Sequence, residues 1–200
     1  MRKEAVRNYC CVRNYCCVRN YCCVRVLVLV SGGGTNLQAL LDAEKALTLG
    51  TGGIKDFTVV GVIADRQDAP ALERARRAKV PTYLELPDRS LPLKKRREEL
   101  SDRILSHAQS LGADLIVLAG FLSILQGPLL SSFSGRMINL HPALLPKFGG
   151  EGMYGDKVHA AVLAAGETES GCTVHLVDEG TDTGRNLLQH RVPVLPGDTV

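Results

Sequence analysis

Arg25–Asn36 has the sequence RVLVLVSGGGTN, and later parts of the chain repeat its pattern. Arg25–Val30 is a short, valine-rich run with no polar residue inside it, typical of a strand buried on both faces of a parallel sheet. Three consecutive glycines then break the run, and leucines recur near helical spacing from Leu37 to Leu47. The stretch therefore predicts a strand, a glycine loop and a helix.

The remainder of the chain alternates between the same two kinds of element. Apolar runs predict further strands at Phe57–Ala64, Val80–Leu84, Asp114–Ala119, Arg136–Leu140, Gly171–Val177 and Leu187–Val194. Periodic segments predict helices at Pro70–Lys79, Leu93–Leu111 and Asp156–Ala165. This order predicts an α/β fold, a Rossmann-like open sheet that is mostly parallel, with helices on both faces and a late antiparallel strand. Ligands in such sheets bind beyond the carboxyl ends of the strands.

The composition fits one compact domain. Of the 200 residues, 45% are apolar and 22% are charged, and the net charge is +3. This balance excludes a disordered polyelectrolyte, and the charge is too small to indicate a nucleic-acid surface. The longest apolar run, Leu115–Leu122, is far shorter than the roughly 20 residues of a bilayer-spanning helix. We therefore expect no nucleic-acid partner and no membrane partner.

The N-terminus holds a tandem hexapeptide, VRNYCC, at Val6–Cys11, Val12–Cys17 and Val18–Cys23. One interpretation is a thiolate metal site or a redox segment, but adjacent cysteines lack the C-x-x-C spacing of zinc sites. We expect residues 1–23 to be an extension without function. The N-terminus also lacks the apolar core of a secretory signal, and the crowded cysteines do not form a disulfide framework, so a cytoplasmic location is predicted.

The glycine loop Ser31–Asn36 predicts a phosphate site. Backbone N–H groups in such a loop are unobstructed, and the following helix presents its positive N-terminus to an anion. Thr35 and Asn36 add a hydroxyl and an amide. The loop lacks the Gly-Lys-Ser/Thr of a Walker loop, and Leu37 replaces the third glycine of a dinucleotide fingerprint, which favours a small phosphomonoester. A plain turn between strand and helix is the alternative.

Asn139 and His141 are two residues apart at the end of a predicted strand, so both are expected to point into one pocket. An asparagine amide can donate to a developing oxyanion, and a histidine can move a proton near neutral pH. Pro142 stiffens the exit from the strand. The segment thus indicates a catalytic pair.

The turn Asp178–Gly184 offers a carboxylate for that histidine. An aspartate beside a histidine holds one tautomer and favours the charged ring. We assign this role to Asp182, although the pattern leaves Asp178 and Glu179 open. Thr173 and His175 alternate on the preceding strand and are expected to line the same pocket.

The other chemistry-bearing side chains are predicted to be structural. They are His107, His159 and His190 on surface elements, Cys172 as a packing residue, and the charged run Lys94–Glu99 as a solvated helix face. Neither H-E-x-x-H nor C-x-x-C occurs, so no catalytic metal is expected. The absence of G-x-S-x-G argues against a serine hydrolase.

Five stretches together point to a family: SGGGTNLQALLDA, LAGFLSIL, INLHPALLPKFGGEGMYG, SGCTVHLVDEGTDTG and LLQHRVPV. In this order and spacing they closely resemble the folate-dependent formyltransferases, from about Val24 to Val200. The N-x-H-P-x-L-L-P segment is shared by that whole family, whereas SGGGTNL matches its glycinamide ribonucleotide branch. The resemblance implies formyl transfer from 10-formyltetrahydrofolate, as co-substrate, to the amine of glycinamide ribonucleotide in purine biosynthesis.

The resemblance also implies individual roles. The catalytic trio would be Asn139, His141 and Asp182. The phosphate ligands would be Gly33, Gly34, Thr35 and Asn36. The folate contacts would be Leu122, Ser123, Ile124, Leu125, Asn139, Asp178 and Asp182. Pro142, Thr173 and His175 are expected to support the trio.

Three departures from the family pattern stand out. Ser123 occupies a position where many members carry arginine. Arg185 and Asn186 replace a proline and an aliphatic residue, and an amide that enters a buried strand requires a partner. The chain ends at Val200, where family members continue with a strand and a helix, so we expect a formyltransferase domain over 24–200 that is truncated at its C-terminus.

Alternatives to the implied function remain open. They are a sister folate-dependent formyltransferase, a formyltetrahydrofolate hydrolase and an inactive truncated ligand-binding domain. A monomer or a homodimer is expected.

Overall fold

The computed structural model describes residues 23–48 and 57–200. Its strands are β1 (Val24–Val30), β2 (Phe57–Ala64), β3 (Thr82–Leu84), β4 (Leu115–Leu118), β5 (Met137–His141), β6 (Glu169–Leu176) and β7 (Asn186–Pro193). Its helices are α1 (Thr35–Thr48), α2 (Ala71–Arg77), α3 (Leu93–Ser110), α4 (Pro128–Ser132) and α5 (Asp156–Ala164). The hexapeptide repeat lies outside the described residues, apart from Cys23.

In the described residues seven strands form one sheet, in the order β3-β2-β1-β4-β5-β6-β7. β1 pairs in parallel with β2 and with β4, and β5 continues in parallel beside β4. β6 is antiparallel to both β5 and β7, so β7 again runs with the parallel strands. The predicted open, mostly parallel sheet with a late antiparallel strand is confirmed. The strand order changes direction at β1, which opens a crevice at the carboxyl edge beside that strand.

The alternation of side chains along β1 builds a core on each face of the sheet. Leu27 and Leu29 pack on one face against α3 residues such as Leu100. Val26, Val28 and Val30 pack on the other face with residues of α1 and α2; this second set includes Leu37 and Leu72. The five β1 side chains are at most 3% exposed. The expectations that this strand is buried on both faces and that helices cover both faces are therefore confirmed.

The expectation of a buried last strand is wrong. β7 is an edge strand in which Leu188 is 66% exposed and Asn186 is also exposed. The amide that was expected to need a partner has one, because Asn186 Nδ2 donates to the Leu145 carbonyl at 3.5 Å. Apolar residues on both faces of LLQHRVPV mimic a buried strand, but among the described residues β6 is the only strand that pairs with β7.

Two smaller differences between the sequence prediction and the structure concern helices, one in its presence and one in its end. α4 is not predicted from the sequence, because its five residues are too few to show a helical period. Gly127, with a φ of 73°, and Pro128 at the first turn begin it. α2 ends at Arg77 rather than at the predicted Lys79, because Lys79 takes a left-handed φ of 58° that leaves the helix.

Candidate active site

A cavity of about 1000 Å³ opens at the carboxyl edge of the sheet. The loops after β1, β4 and β5 and the turn after β6 contribute to its wall, as the rule for open α/β sheets requires. Of the predicted site residues, the cavity is lined by Asn36, Leu122, Ser123, Ile124, Leu125, Asn139, His141, Pro142, His175, Asp178 and Asp182.

Asn139, His141 and Asp182 converge at this cavity. Asp182 Oδ2 lies 3.4 Å from His141 Nδ1, and Asp182 Oδ1 lies 3.5 Å from Asn139 Nδ2. The Gly150 N–H donates to Asp182 Oδ2 at 3.0 Å and helps to fix the carboxylate. The structure therefore brings together the three residues that the sequence assigns to catalysis.

The His141 ring is clamped between two acceptors. Its Nε2 donates to the Phe148 carbonyl at 2.8 Å, while its Nδ1 faces Asp182. Because a carbonyl oxygen can only accept, Nε2 carries a proton. His141 is 3% exposed, so these contacts define its orientation.

Two unusual backbone conformations frame this histidine. Phe148 and Asp182 take φ values of 55° and 59°, in the left-handed region that non-glycine residues rarely adopt. Both residues contact the His141 ring. Such a conformation costs free energy, and residues that adopt it cluster at functional sites, where it can direct a group toward a partner that an ordinary backbone conformation would not reach.

The geometry distinguishes the three carboxylates of the turn. Asp178 accepts from the Gly180 N–H and the Thr183 hydroxyl, at 3.1 and 2.7 Å, and so caps its own turn. Glu179 is exposed. Asp182 is the carboxylate that reaches His141.

Electrostatics beside the trio favour the charged forms of Asp182 and His175. Burial alone would raise the pKa of Asp182, but hydrogen bonds from His175 and the Gly150 N–H, with the nearby ring of His141, lower it below its usual value. Burial alone would lower the pKa of His175, but hydrogen bonds to Asp182 and the Leu176 carbonyl, with the charge of Asp178, raise it above its usual value. The carboxylate is therefore ionised at neutral pH.

Of the two predicted supporting residues on β6, His175 lines the cavity and Thr173 does not. Thr173 is fully buried, and its hydroxyl donates to the Ala143 carbonyl at 2.6 Å and accepts from the Leu145 N–H at 3.0 Å. It holds the start of the loop that leads from His141 to Phe148. Its expected place in the pocket wall is wrong, because Thr173 is buried and its hydroxyl binds backbone groups of this loop.

The glycine loop is only partly exposed to the cavity. Asn36 lines the wall, whereas Gly33, Gly34 and Thr35 lie outside it. Gly34 has a φ of 73°, and a Cβ there would lie 2.5 Å from Ala71 Cβ, so close packing on α2 demands this glycine. Gly33 has open space where a Cβ would be. Its carbonyl accepts from Arg74 Nε at 2.8 Å, which places a guanidinium beside the loop.

Ser123 has a partner that the sequence does not indicate. Its hydroxyl donates to Asp65 Oδ2 at 2.6 Å. Asp65 is 6% exposed, and within the described part of the chain its Oδ1 has no hydrogen-bond partner. The loop of Ser123 is also tied to the glycine loop, because the Leu122 N–H donates to Ser31 Oγ at 2.8 Å.

Sequence reasoning missed a cationic part of the cavity. Arg89, Arg96 and Arg97 line the wall, together with Glu151, which pairs with Arg97 at 2.8 Å. The interpretation of Lys94–Glu99 as a wholly solvated face is therefore wrong for two of its arginines. A run of six charges hides which of them turn inward, so no signal in the sequence distinguishes them.

The three histidines and the cysteine that were predicted to be structural lie in different environments. His159 lines the cavity, although it is exposed, and Cys172 lines it as well. His107 bonds to Glu85 at 2.8 Å and packs on the Tyr83 ring, a structural role as predicted. His190 is exposed on β7.

Two further properties concern metals and membranes. Within residues 23–48 and 57–200, no three His, Cys, Asp or Glu side chains are grouped so that they could hold a metal ion. In the same residues, no helix combines the length and the apolar character needed to cross a bilayer.

Comparison with known proteins identifies the family. The profile described as "Formyl transferase" matches residues 24–200. This chain belongs to the formyl transferase family. The family uses formyltetrahydrofolate as co-substrate.

The family resemblance of the five stretches is therefore confirmed, and this formyl transferase has relatives of two lengths. It is 43% identical over 173 residues to a protein named "Trifunctional purine biosynthetic protein adenosine-3" from Drosophila pseudoobscura pseudoobscura, over 86% of the chain but 12% of that protein. It is 38% identical over 175 residues to the "Phosphoribosylglycinamide formyltransferase" of Haemophilus influenzae, over 88% of the chain and 76% of that protein. The chain thus spans about an eighth of the trifunctional relative and about three quarters of the Haemophilus influenzae protein.

A solved structure has the same fold. The glycinamide ribonucleotide transformylase 1 of Symbiobacterium toebii superposes with a TM-score of 0.76 at 41% identity, over 88% of this formyl transferase and 76% of that chain.

Proposed function

We propose that this formyl transferase moves the formyl group of 10-formyltetrahydrofolate to the primary amine of glycinamide ribonucleotide, a step of purine biosynthesis. The convergence of Asn139, His141 and Asp182 on one cavity carries the proposal, because it places an amide, an imidazole and a carboxylate side by side in the cavity wall. The relatives named for this activity support the choice of acceptor.

The cavity fits two reactants. Its volume of about 1000 Å³ equals the upper end of the range for a single drug-sized ligand. Leu122, Ile124 and Leu125 form an apolar wall suited to a flat pteridine ring. Arg89, Arg96 and Arg97 offer cations to the carboxylates at the other end of a folate.

Bound 10-formyltetrahydrofolate supplies the carbonyl carbon to which the amine adds, and the bond to the folate nitrogen breaks afterwards, when the carbonyl forms again. Negative charge develops on the carbonyl oxygen, where Asn139 acts as a hydrogen-bond donor. His141 donates there as well when one of its ring nitrogens exchanges its contact with Asp182 or the Phe148 carbonyl for the substrate oxygen. Losing one such donor typically reduces the rate by about 10²–10³.

Asp182 orients His141. Its Oδ2 lies 3.4 Å from Nδ1 and can accept a hydrogen bond from that nitrogen. The Phe148 carbonyl holds the other ring proton. The pair Asp182–His141 can then route the proton that leaves the amine toward the departing folate nitrogen. No covalent bond to the protein is required.

The glycine loop is proposed to bind the phosphate of the ribonucleotide, through Gly33, Gly34, Thr35 and Asn36. Asn36 lines the cavity, and the space above Gly33 lets an anion approach the backbone N–H groups at the start of α1. Fixing the phosphate positions the distant amine, and remote binding energy is thereby converted into orientation.

The remaining assignments belong to the same proposal. Residues 24–200 form the catalytic domain and residues 1–23 add nothing to catalysis. The folate contacts include Ser123 and Asp178. The enzyme uses no metal, binds neither nucleic acid nor membranes, acts in the cytoplasm and is a monomer or homodimer.

A product assay tests the proposal. The purified chain is given 10-formyltetrahydrofolate with glycinamide ribonucleotide, with an aminoacyl-tRNA or with no acceptor, and formyl products are identified by mass spectrometry. Formylated glycinamide ribonucleotide in amounts equal to the folate released is the expected result. A formylated aminoacyl-tRNA would indicate a sister enzyme and formate without acceptor a hydrolase. No product of any kind would indicate an inactive domain, and each of these outcomes contradicts the proposal.

A further inference from the structure

His175 contacts Asn139, the proposed catalytic asparagine, from the neighbouring strand. It lies in β6, 2% exposed, and is the register partner of Asn139 in β5. Its Nδ1 faces the Leu176 carbonyl at 2.9 Å, and its Nε2 lies 3.1 Å from Asn139 Nδ2 and 3.5 Å from Asp182 Oδ1.

These contacts define one protonation state of the ring. The carbonyl of Leu176 only accepts, so Nδ1 carries a proton. The amide nitrogen of Asn139 only donates, so Nε2 must offer its lone pair. The longer contact with Asp182 Oδ1, at 3.5 Å, suits a charged ring, whereas the shorter contact with Asn139 Nδ2 is that of a neutral His175.

In this state the Asn139 NH₂ group is already engaged. Its two N–H bonds have acceptors in His175 Nε2, at 3.1 Å, and Asp182 Oδ1, at 3.5 Å. Among the described residues, no hydrogen bond uses Asn139 Oδ1. The amide can then offer the cavity an acceptor, which suits an attacking amine and does not suit a developing oxyanion.

A proton on His175 Nε2 reverses this arrangement. Two donors would then face each other at 3.1 Å, which favours a turn of the amide that presents Oδ1 to the ring, while Nε2 can also donate to Asp182 Oδ1 at 3.5 Å. We propose that His175 is a positioning residue whose protonation turns the Asn139 amide. The turn moves Nδ2 away from the His175 ring and presents it to the carbonyl oxygen of the bound formyl donor. The catalytic part of this inference rests on the proposed function, whereas the turn of the amide does not.

The charges around His175 make its protonated form accessible. Asp182 and Asp178, both in the turn after β6, act on the ring, and His141 faces the same Asp182 carboxylate from β5. Burial disfavours the charged ring, but the hydrogen bonds to Asp182 and the Leu176 carbonyl outweigh it and raise the pKa of His175 above its usual 6.5. The charged ring is therefore more accessible in His175 than in an ordinary histidine.

A titration of the free, full-length chain tests the turn without any catalysis. Side-chain ¹⁵N shifts of Asn139 and His175 are followed by NMR from about pH 5.5 to about pH 9, the range in which a histidine titrates. The Asn139 resonance is identified by its loss in Asn139→Ala. We expect the Asn139 NH₂ shifts to change with the same midpoint as the His175 ring. An Asn139 amide that is unaffected while His175 titrates would overturn the proposal.

Two variants extend the test to catalysis. Glutamine at position 175 can contact the amide but cannot titrate, so His175→Gln should lose the shared midpoint, whereas His190→Gln on exposed β7 should keep it. In formyl transfer, kcat of the wild type should fall at alkaline pH as His175 loses its proton, and His175→Gln should lack this fall. The variant should also reduce kcat by about 10-fold to 10²-fold with little change in KM, since the effect belongs to the transition state. A kcat–pH profile equal to that of the wild type would refute the role in catalysis. If the wild type transfers no formyl group, the proposed function fails while the NMR titration still decides the turn.

Discussion

His141 and Asp182 meet at 3.4 Å, from Nδ1 to Oδ2, although one ends a β-strand and the other lies in the turn after the next strand. The side chains are 4% and 10% exposed, so water competes little for either partner. The other carboxylate oxygen faces Asn139 and His175. One carboxylate thereby organises the amide and both rings.

Replacing this carboxylate by an amide should damage catalysis without damaging the fold. Asp182→Asn keeps a residue that tolerates the left-handed φ of 59°, but it removes the charge that faces two imidazoles. We expect kcat/KM for formyl transfer to fall by about 10²–10⁴, the range seen when a histidine loses its orienting aspartate. Glu179→Gln, an exposed change in the same turn, should retain wild-type activity; equal losses in both variants would argue against a specific role.

The stability of the fold should depend on pH through the same residues. The lowered pKa of Asp182 contributes stability above its ordinary value of 3.8, and this is lost as pH falls through the lowered pKa. The raised pKa of His175 contributes stability below 6.5, and this is lost as pH rises through the raised pKa. Wild type and Asp182→Asn should therefore differ most in unfolding free energy between pH 3.8 and 6.5. Urea titrations at stepped pH measure this difference, and a constant value across pH would be inconsistent with it.

Alanine substitutions of the two neighbouring glycines of the loop should affect different properties of the protein. Gly34→Ala puts a Cβ 2.5 Å from Ala71 and forces alanine into a φ of 73°, so the free energy of unfolding should fall by about 1–3 kcal/mol. Gly33→Ala meets no atom within 4 Å, so stability should hold while KM for the ribonucleotide rises, because the methyl occupies the approach of the phosphate. Thermal unfolding and initial rates measure both. An unchanged KM in Gly33→Ala would contradict phosphate binding at this loop.

Thr173 should matter for stability through its hydroxyl. Thr173→Val keeps the shape but leaves the Leu145 N–H and the Ala143 carbonyl without their buried partner, at a cost of about 1–3 kcal/mol. Thr173→Ser keeps the hydroxyl and should lose clearly less. Denaturant unfolding compares the two; a valine variant as stable as the serine variant would show that the bonds contribute little.

Much of the fold was predictable because local patterns determine it. The unbroken apolar run in Arg25–Val30 indicates burial on both faces, and the glycines that follow indicate the turn into α1. Asn139 and His141 were predictable as a pair because the two-residue period of a strand places them on one side.

Other features depend on contacts between distant segments. The choice of Asp182 over Asp178 follows from a left-handed backbone and from the Gly150 N–H, neither of which the local sequence specifies. Asp65 as the partner of Ser123 joins two loops that follow different strands. The inward direction of Arg97 depends on how α3 is rotated over the sheet.

The rate of formyl transfer after His141→Ala tests the central claim most directly. The variant is compared with the wild type and with His190→Ala, a histidine on the exposed edge strand, at saturating 10-formyltetrahydrofolate and glycinamide ribonucleotide. We expect kcat to fall by about 10²–10⁴ in His141→Ala, since a donor and a proton carrier are both lost, and to hold in His190→Ala. A His141→Ala enzyme as fast as the wild type would contradict the account.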